Sequence, residues 1–334
     1  MNTRARIEGV LLGTAFGDAL GLTTEGMSAK TIARRFGRVD RYHLLGRIGF
    51  VSDDTEQSAL VAQSLARHPS DPDACARAFR RSLLGWFLRL PWGVGLATVR
   101  ACCRIALGLS RSGVDSAGNG AAMRAAVVGA LIPDPALRRA TSDALARVTH
   151  TDPRAVEGAR YVAEVAAAPR DLPTADVCAQ ALAVVEEPSL RAAIARGIAL
   201  ATGGVELHAA ATELGTTGFV VHTIGFATYA FVRWGNDPLR AIQETIAAGG
   251  DTDSIGAIVG AWGGARCGTA WIPAALLADL HDGPFGPTHL RSLANDLTAG
   301  RGLTARYSPL AAMLRNLALY PVVLAHGFRR LIPW

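Results

Sequence analysis

The sequence predicts an all-α protein. Alanine and leucine dominate it, and apolar residues recur at three- and four-residue spacing in one segment after another, which is the period of an amphipathic helix. The alternation of β-branched residues that is typical of strands is rare. Proline follows aspartate at Asp152-Pro153 and Asp237-Pro238, a pattern that marks helix starts because the first turn needs no N–H at that position.

These patterns place ten helices along the chain. In order, we expect them over Ile7–Leu20, Glu56–Ala66, Ala74–Leu88, Ala121–Leu131, Pro135–Val148, Pro153–Ala167, Leu190–Ala201, Val220–Trp234, Pro238–Ala247 and Ile255–Gly268.

The chain is expected to form one domain. Its 334 residues are 50% hydrophobic, enough to bury a large core. The weakest seam, Ala168–Pro173, is not a linker rich in proline, glycine and serine, and chemically interesting clusters lie on both sides of it. Residues 269–334 carry no motif and are predicted to be a C-terminal helical extension, in which Pro309–Trp334 forms a basic, apolar helix broken by Pro321.

Charge and cysteine content exclude several classes of protein. The net charge of +6 comes almost wholly from arginine, with Lys30 as the single lysine, and the arginines are scattered, so we expect no stable nucleic-acid partner. Five cysteines without CxxC spacing indicate core residues in a reducing compartment. The first residues lack a signal-peptide pattern, and no uninterrupted apolar run reaches about 18 residues. We therefore expect a cytoplasmic protein without a membrane span.

A first acidic cluster, Ser52-Asp53-Asp54-Thr55, precedes the helix predicted to begin near Glu56. A serine or aspartate at this position caps a helix, and acidic residues in the first turn favour its dipole, so ordinary capping explains the cluster if it is taken alone.

A second cluster, Gly249–Ser254, opens another helix and exceeds what a cap requires. Asp251, Asp253 and Ser254 offer oxygen ligands within four residues, which suits Mg²⁺, Mn²⁺ or Ca²⁺ better than zinc. If both clusters face one cavity, their carboxylates repel one another unless cations compensate. The sequence therefore predicts a site for two divalent cations. Glu25, after the first helix, is either a carboxylate beside this site or a solvated surface residue.

A glycine-rich loop, Ser116–Gly120, precedes the helix predicted from Ala121, where successive amides could bind a phosphate. Such a loop is more often only a turn. Arg124 could pair with a phosphate or with a core carboxylate, and His150 could donate to phosphate oxygens or cap a carbonyl. Phe219 could stack on a base or belong to the core.

In this order, the motifs resemble the ADP-ribosylglycohydrolase family. They are Gly9–Glu25 (GVLLGTAFGDALGLTTE), Ser52–Thr55 (SDDT), Gly118–Arg124 (GNGAAMR), Thr149–Pro153 (THTDP), His222-Thr223 and Gly249–Gly264 (GGDTDSIGAIVGAWGG). The resemblance implies a compact orthogonal helical bundle, and it extends from about Ile7 to Gly268. Serine stands at 52 and 254 where the family usually has threonine, which keeps the oxygen but loses the methyl group that restricts the rotamer.

The family resemblance implies roles for individual residues. The implied ligands of two Mg²⁺ or Mn²⁺ ions are Ser52, Asp53, Asp54, Asp251, Asp253 and Ser254. The implied catalytic carboxylates are Glu25, Asp54 and Asp253. The implied substrate-binding residues are Ser116, Gly118, Asn119, Gly120, Met123, Arg124, His150 and Phe219.

The resemblance implies a metal-dependent hydrolase that removes ADP-ribose from a modified protein side chain. We expect the protein to be a monomer. Arginine is the first candidate acceptor, with serine and nucleic acid as variants. Acceptor choice is expected to depend on the pocket rim around Trp92 in the segment Leu90–Leu96. The alternatives are a binding module that recognises ADP-ribose without turnover and a metal-dependent phosphohydrolase, which would release phosphate.

Overall fold

The structure, a computed structural model, describes residues 1–300 and 302–331. It is 68% helical, so the predicted all-α class is confirmed. The described residues contain one two-stranded antiparallel sheet, in which β1 (Met27–Ser28) pairs with β2 (Gly249–Gly250). This short sheet joins the segment after the first helix to the segment that contains the second acidic cluster.

Seventeen α-helices form the described part of the chain. The first eight are α1 (Thr3–Gly21), α2 (Ala29–Phe36), α3 (Asp53–Arg67), α4 (Pro72–Phe87), α5 (Leu96–Ala106), α6 (Ala126–Leu131), α7 (Pro135–Ala146) and α8 (Pro153–Ala167). The others are α9 (Thr174–Ala181), α10 (Pro188–Thr202), α11 (Leu207–Leu214), α12 (Val220–Trp234), α13 (Pro238–Ala248), α14 (Thr252–Cys267), α15 (Ala274–Asp279), α16 (Pro287–Ala299) and α17 (Pro309–Leu331).

Two expectations about individual helices were wrong. The helix predicted from Ala121 begins at Ala126, after a 3₁₀ turn over Asn119–Ala121. The guanidinium of Arg124 donates to the carbonyl of Gly120, which is the acceptor that an α-helix would offer to the amide of residue 124. The second error concerns Pro321, since α17 continues through it. The carbonyl freed by the proline belongs to Leu317, an exposed residue, so water can satisfy it.

The helices α1 and α14 cross at very short distance because both present glycine to the other. The contact faces carry glycine at every fourth residue: Gly9, Gly13, Gly17 and Gly21 in α1, and Gly256, Gly260 and Gly264 in α14. A Cβ atom added at Gly13 would lie 2.1 Å from the carbonyl oxygen of Gly260. The helices run antiparallel, with Gly21 against Thr252, so the end of α1 lies beside the start of α14.

The C-terminal part of the chain packs on the same body. The helix α16 contacts α1 and α3. The last helix, α17, buries Ala312, Asn316 and Leu319 and exposes Leu310 and Leu314. By length and composition, the stretch Pro309–Phe328 is the one helix within the described ranges that could cross a membrane.

Candidate metal centre and substrate cleft

The first acidic cluster forms the N-terminal turn of α3. Ser52 is its N-cap, and its hydroxyl oxygen accepts a hydrogen bond from the amide of Asp54, so the capping interpretation holds for this serine. Asp18, fully buried in α1, lies under the turn. Its carboxylate accepts from the amides of Ser52 at 2.9 Å and Thr55 at 3.2 Å, and from the Thr55 hydroxyl at 2.5 Å. These hydrogen bonds to Asp18 therefore fix the conformation of the turn.

The second cluster surrounds the start of α14. The side chain of Asp251 makes no capping hydrogen bond to the helix. Its amide donates to the carbonyl of Thr216 at 2.7 Å, and its Oδ2 accepts from Nδ2 of Asn119 at 2.6 Å. Asn119 thus joins the glycine-rich loop to the acidic cluster. A carboxylate held in this way keeps its other oxygen for a ligand.

The two clusters meet. The hydroxyls of Ser52 and Ser254 each lie 3.2 Å from Oδ2 of Asp54, although Ser254 is 200 positions away in the chain. Ligand oxygens of Glu25, Asp251 and Asp253 lie within 4.8 Å of one another. The predicted convergence of the two turns is therefore present, and Glu25 belongs to the group of carboxylates rather than to the solvated surface.

Burial and mutual repulsion dominate the electrostatics of this cluster. Burial, followed by the charges of Asp18 and its neighbours, raises the pKa values of Asp53 and Asp54 well above the usual range. The pKa of Asp253 is raised by burial and then by Glu25 and Asp251. Burial likewise raises the pKa of Asp18 to about 6, against the lowering effect of its hydrogen bonds. At neutral pH the cluster requires either protons or cations.

The donor set fits divalent cations that prefer oxygen. All the converging side chains are carboxylates or hydroxyls, the ligands of Mg²⁺ and Mn²⁺ rather than of structural zinc. In addition, Oδ1 of Asp54 is buried and has no hydrogen-bond partner among the described residues. A buried carboxylate oxygen without a donor is costly, and a cation would satisfy it.

A cavity of about 300 Å³ opens over the cluster. Twelve of the predicted site residues line it: Glu25, Asp53, Asp54, Ser116, Gly118, Asn119, Gly120, Met123, His150, Asp251, Asp253 and Ser254. Gly93, Gly95, Leu96 and Thr98 form a further wall that the sequence did not identify residue by residue. The cavity thus has an acidic end and a glycine-rich end.

His150 lies at the glycine-rich end of the cavity as a neutral imidazole. Burial, with the charge of Arg124 next in effect, lowers its pKa to about 3. The hydroxyl of Thr149 accepts from Nη2 of Arg124 at 2.6 Å and lies 2.8 Å from Nδ1 of His150. The contact of Nδ1 with this hydroxyl holds the imidazole ring and leaves Nε2 as the ring nitrogen on the side of the cavity. A Cβ atom added at Gly118 would lie 3.4 Å from Nε2, so this nitrogen faces the glycine-rich loop.

Three predicted site residues do not line the cavity. Arg124 is buried, and its guanidinium also donates to Gln57 at 2.8 Å, so it supports the loop instead of reaching into the cavity. Phe219 pairs by its backbone with Gly118 and packs under the guanidinium of Arg154. Ser52 is buried under Asp54.

Asp18 and Gln57 are the supporting residues that the sequence analysis missed. Gln57 bridges Arg124 and the Oδ2 of Asp53, to which it donates at 2.9 Å. A signal for Asp18 was present, since it is the one charged residue in the apolar stretch Gly9–Gly21 of α1. A buried aspartate there needs hydrogen-bond donors, and the acidic turn supplies them.

Fold and site together define an all-helical protein with an oxygen-rich acidic cleft, built where α1, α3 and α14 meet. The chain belongs to the ADP-ribosylglycohydrolase family, whose model matches residues 1–306. Family and fold indicate a hydrolase of the glycohydrolase class. The predicted family resemblance is therefore confirmed.

Individual relatives agree with this assignment. An uncharacterized protein of Archaeoglobus fulgidus is 32% identical over 286 residues, covering 82% of this chain and 91% of that protein. The uncharacterized protein YegU of Escherichia coli K12 is 28% identical over 311 residues, with the same coverage of 82% and 91%. A solved structure of an ADP-ribosylglycohydrolase-related protein complex superposes with a TM-score of 0.69 at 27% identity, covering 89% of this chain and 98% of the other.

Proposed function

We propose that this protein hydrolyses the glycosidic bond between ADP-ribose and a modified protein side chain, with arginine as the first acceptor to test, and that it needs divalent cations to do so. The observation that carries the proposal is the convergence of Glu25, Asp251 and Asp253 with Asp54 at one end of a cavity whose other end is a glycine-rich loop. An anionic, sugar-containing substrate matches both ends.

The cations would be held by the carboxylates of Asp53, Asp54, Asp251 and Asp253, with Ser52 and Ser254 as neutral oxygen ligands. When bound, Mg²⁺ or Mn²⁺ would neutralise the cluster and provide a Lewis acid for substrate hydroxyls. Asn119 keeps Asp251 in place, and Asp18 does the same for the turn that carries Asp53 and Asp54.

The glycine-rich end would bind the diphosphate. Gly118, Gly120 and the neutral His150 line that part of the cavity, and backbone amides of the loop together with Nε2–H of the imidazole would donate to the phosphate oxygens. Because Arg124 and Thr149 fix the ring, His150 would donate without reorienting. This loop therefore positions the proximal ribose over the carboxylates.

Hydrolysis then requires water at the anomeric carbon. The bond from that carbon to the acceptor breaks, a bond to the water oxygen forms, and the acceptor leaves with a proton. Glu25 is half-buried at the edge of the group of carboxylates and is placed to take the proton from water. Positioning and electrostatic stabilisation of the positively charged transition state would supply most of the rate.

The test is a product analysis with the purified full-length chain, a protein ADP-ribosylated on arginine, and Mg²⁺ or Mn²⁺. We expect release of ADP-ribose by the wild type, loss of release with EDTA, and a rate at least 100-fold lower for Asp251→Asn. Asp296→Asn, a buried aspartate in α16 that does not line the cavity, is the matched control and should retain the activity. Release of inorganic phosphate instead would support a phosphohydrolase, and tight binding of ADP-ribose without any product would support a binding module.

The cytoplasmic location and the monomeric state remain proposals that follow from the sequence. Size-exclusion chromatography with light scattering checks the monomer directly.

A further inference from the structure

The last helix, α17, lies beyond the part of the chain that matches the family model, yet it contacts the wall of the cleft. The match ends at residue 306, and α17 starts at Pro309. Its buried face carries Leu319, which packs in a small apolar cluster with Leu22, Phe50 and Trp92. The helix is therefore attached to the loop around Trp92.

Arg315 anchors α17 to the helix that carries the first acidic cluster. Its guanidinium forms an ion pair with Glu56 in the first turn of α3, and both side chains are buried. The same carboxylate accepts from Nε1 of Trp86 at 2.5 Å, and Arg315 also donates to the carbonyl of Pro284 at 2.9 Å. Because the ion pair is buried and hydrogen-bonded on both sides, it fixes the position of α17 along α3.

Two further side chains of α17 hold the loop 88–95, which we call the rim. Nδ2 of Asn316 donates to the carbonyl of Arg89 at 2.9 Å, and the hydroxyl of Tyr320 donates to the carbonyl of Pro91 at 3.2 Å. These carbonyls flank Leu90, whose φ of 54° lies in the left-handed region that a branched residue disfavours. The two hydrogen bonds therefore hold the backbone on either side of this left-handed residue.

The rim reaches the acidic end of the cleft. Gly93 and Gly95 line the cavity, and a Cβ atom added at Gly93 would lie 3.5 Å from Oδ1 of Asp53. Trp92, expected at the pocket rim, is 7% exposed, packs with Leu319 and does not line the cavity. The rim therefore forms part of the cavity wall beside the acidic cluster.

We propose that Asn316 and Tyr320 are positioning residues that hold the rim against the acidic cluster and so determine which acceptor group, attached to ADP-ribose, enters the cleft. The inference rests on the proposed function for its substrate, while its structural part, the hold of α17 on the rim, does not. ADP-ribose itself would occupy the glycine-rich end and the carboxylates. The acceptor must then leave past the rim, which is the part of the wall that α17 supports.

The structural part is tested by hydrogen exchange on the full-length chain. Tyr320→Phe removes one hydroxyl and keeps the packing, and Asn316→Ala removes the other donor. We expect amides in residues 88–95 to exchange roughly five- to thirtyfold faster in the double variant, and less so in Tyr320→Phe, while the core helices are unaffected. Leu314→Ala, on the exposed face of the same helix, should leave the exchange of the rim unchanged. Unchanged rim exchange in a folded double variant overturns the hold. Should the double variant fail to fold, Tyr320→Phe decides alone.

The specificity part is tested by kinetics on the same variants. For an arginine-ADP-ribosylated peptide we expect KM to rise about fivefold or more and kcat to change less than twofold, with the inhibition constant of free ADP-ribose, which lacks the acceptor, within twofold of the wild type. Equal weakening of peptide and ADP-ribose would indicate a general loss of the site and overturn the specificity role. If the wild type releases no ADP-ribose, the proposed function and the acceptor role both fail, while hydrogen exchange still decides whether α17 holds the rim.

Discussion

Replacement of Asp54 by asparagine should make the metal-free protein more stable and at the same time remove its response to divalent cations. Asp54 is 2% exposed, and burial and then the charges of Asp18 and Asp53 raise its pKa. A group whose pKa is raised on folding contributes stability that is present at low pH and is lost as pH rises through the folded pKa. At pH 7.5 without metal, the carboxylate of Asp54 therefore destabilises the folded protein, and a neutral amide at this position does not. The amide oxygen can still accept from Ser52 and Ser254.

The magnitude follows from two terms. The repulsion between two unit charges about 8 Å apart costs about 2 kcal/mol at an effective dielectric constant of about 20. Removal of this repulsion should raise the free energy of unfolding of the variant in EDTA by the same amount. A cation at about 100 times its Kd stabilises the wild type by about 2.7 kcal/mol. With an unfolding entropy of roughly 2.1 cal/mol/K per residue, a chain of 334 residues shifts its Tm by about 1.4 °C for each kcal/mol. We expect about +3 °C for the variant in EDTA, and about +4 °C for the wild type on addition of Mn²⁺.

The assay is thermal unfolding of both proteins at pH 7.5 in EDTA and in Mn²⁺, repeated at pH 4.5, where the stabilising effect of the substitution should shrink. Asp296→Asn is the contrasting control. Burial alone would raise the pKa of Asp296, but hydrogen bonds from Thr304 and Ala305 lower it. This variant should therefore be less stable than the wild type in EDTA and should keep the increase in Tm on addition of Mn²⁺. A variant of Asp54 that is less stable than the wild type in EDTA, or one that still responds fully to Mn²⁺, would refute the reasoning.

Three more outcomes are expected. His150→Gln should reduce acid sensitivity, because burial lowers the pKa of His150 to about 3 and the wild type therefore loses about 2 kcal/mol of stability between pH 7.5 and pH 5. Urea titrations in EDTA should show a loss smaller by that amount in the variant, and an equal loss of stability with pH in both proteins would contradict the prediction. Gly13→Ala should destabilise by about 1–3 kcal/mol or more in urea because its Cβ would meet α14, whereas Gly85→Ala, which meets nothing within 4 Å, should stabilise α4 by up to about 1 kcal/mol. Asp18→Asn should weaken Mn²⁺ binding, measured by calorimetry, about 10–100-fold because the turn at the start of α3 loses hydrogen bonds to Asp18, while Asp296→Asn should leave the affinity unchanged. Equal Mn²⁺ affinities in the two variants would exclude a role of Asp18 in holding this turn.

The amino-acid sequence determined the fold class and the identity of the acidic site. Helical periodicity is a local property, so it placed most helices and the two acidic turns without tertiary information. The requirement of carboxylates for cations is also a property of the residues themselves, and it led to the convergence now visible between Asp54 and Ser254. Even the crossing of α1 and α14 was readable in principle, because glycine at every fourth residue, as at Gly13 and Gly260, allows two helices to touch.

Only the tertiary structure decided which side chains face the cleft. Arg124 and Phe219 have the chemistry of substrate-binding residues, but burial of a guanidinium requires acceptors, and Arg124 finds them in Gln57 and Thr149, which do not line the cavity. The rim and its support by α17 depend on contacts between segments more than 200 positions apart, such as that of Asn316 with Arg89. Spacing along a chain carries no information about such pairs, because they form only when the packed core has fixed the direction of both segments.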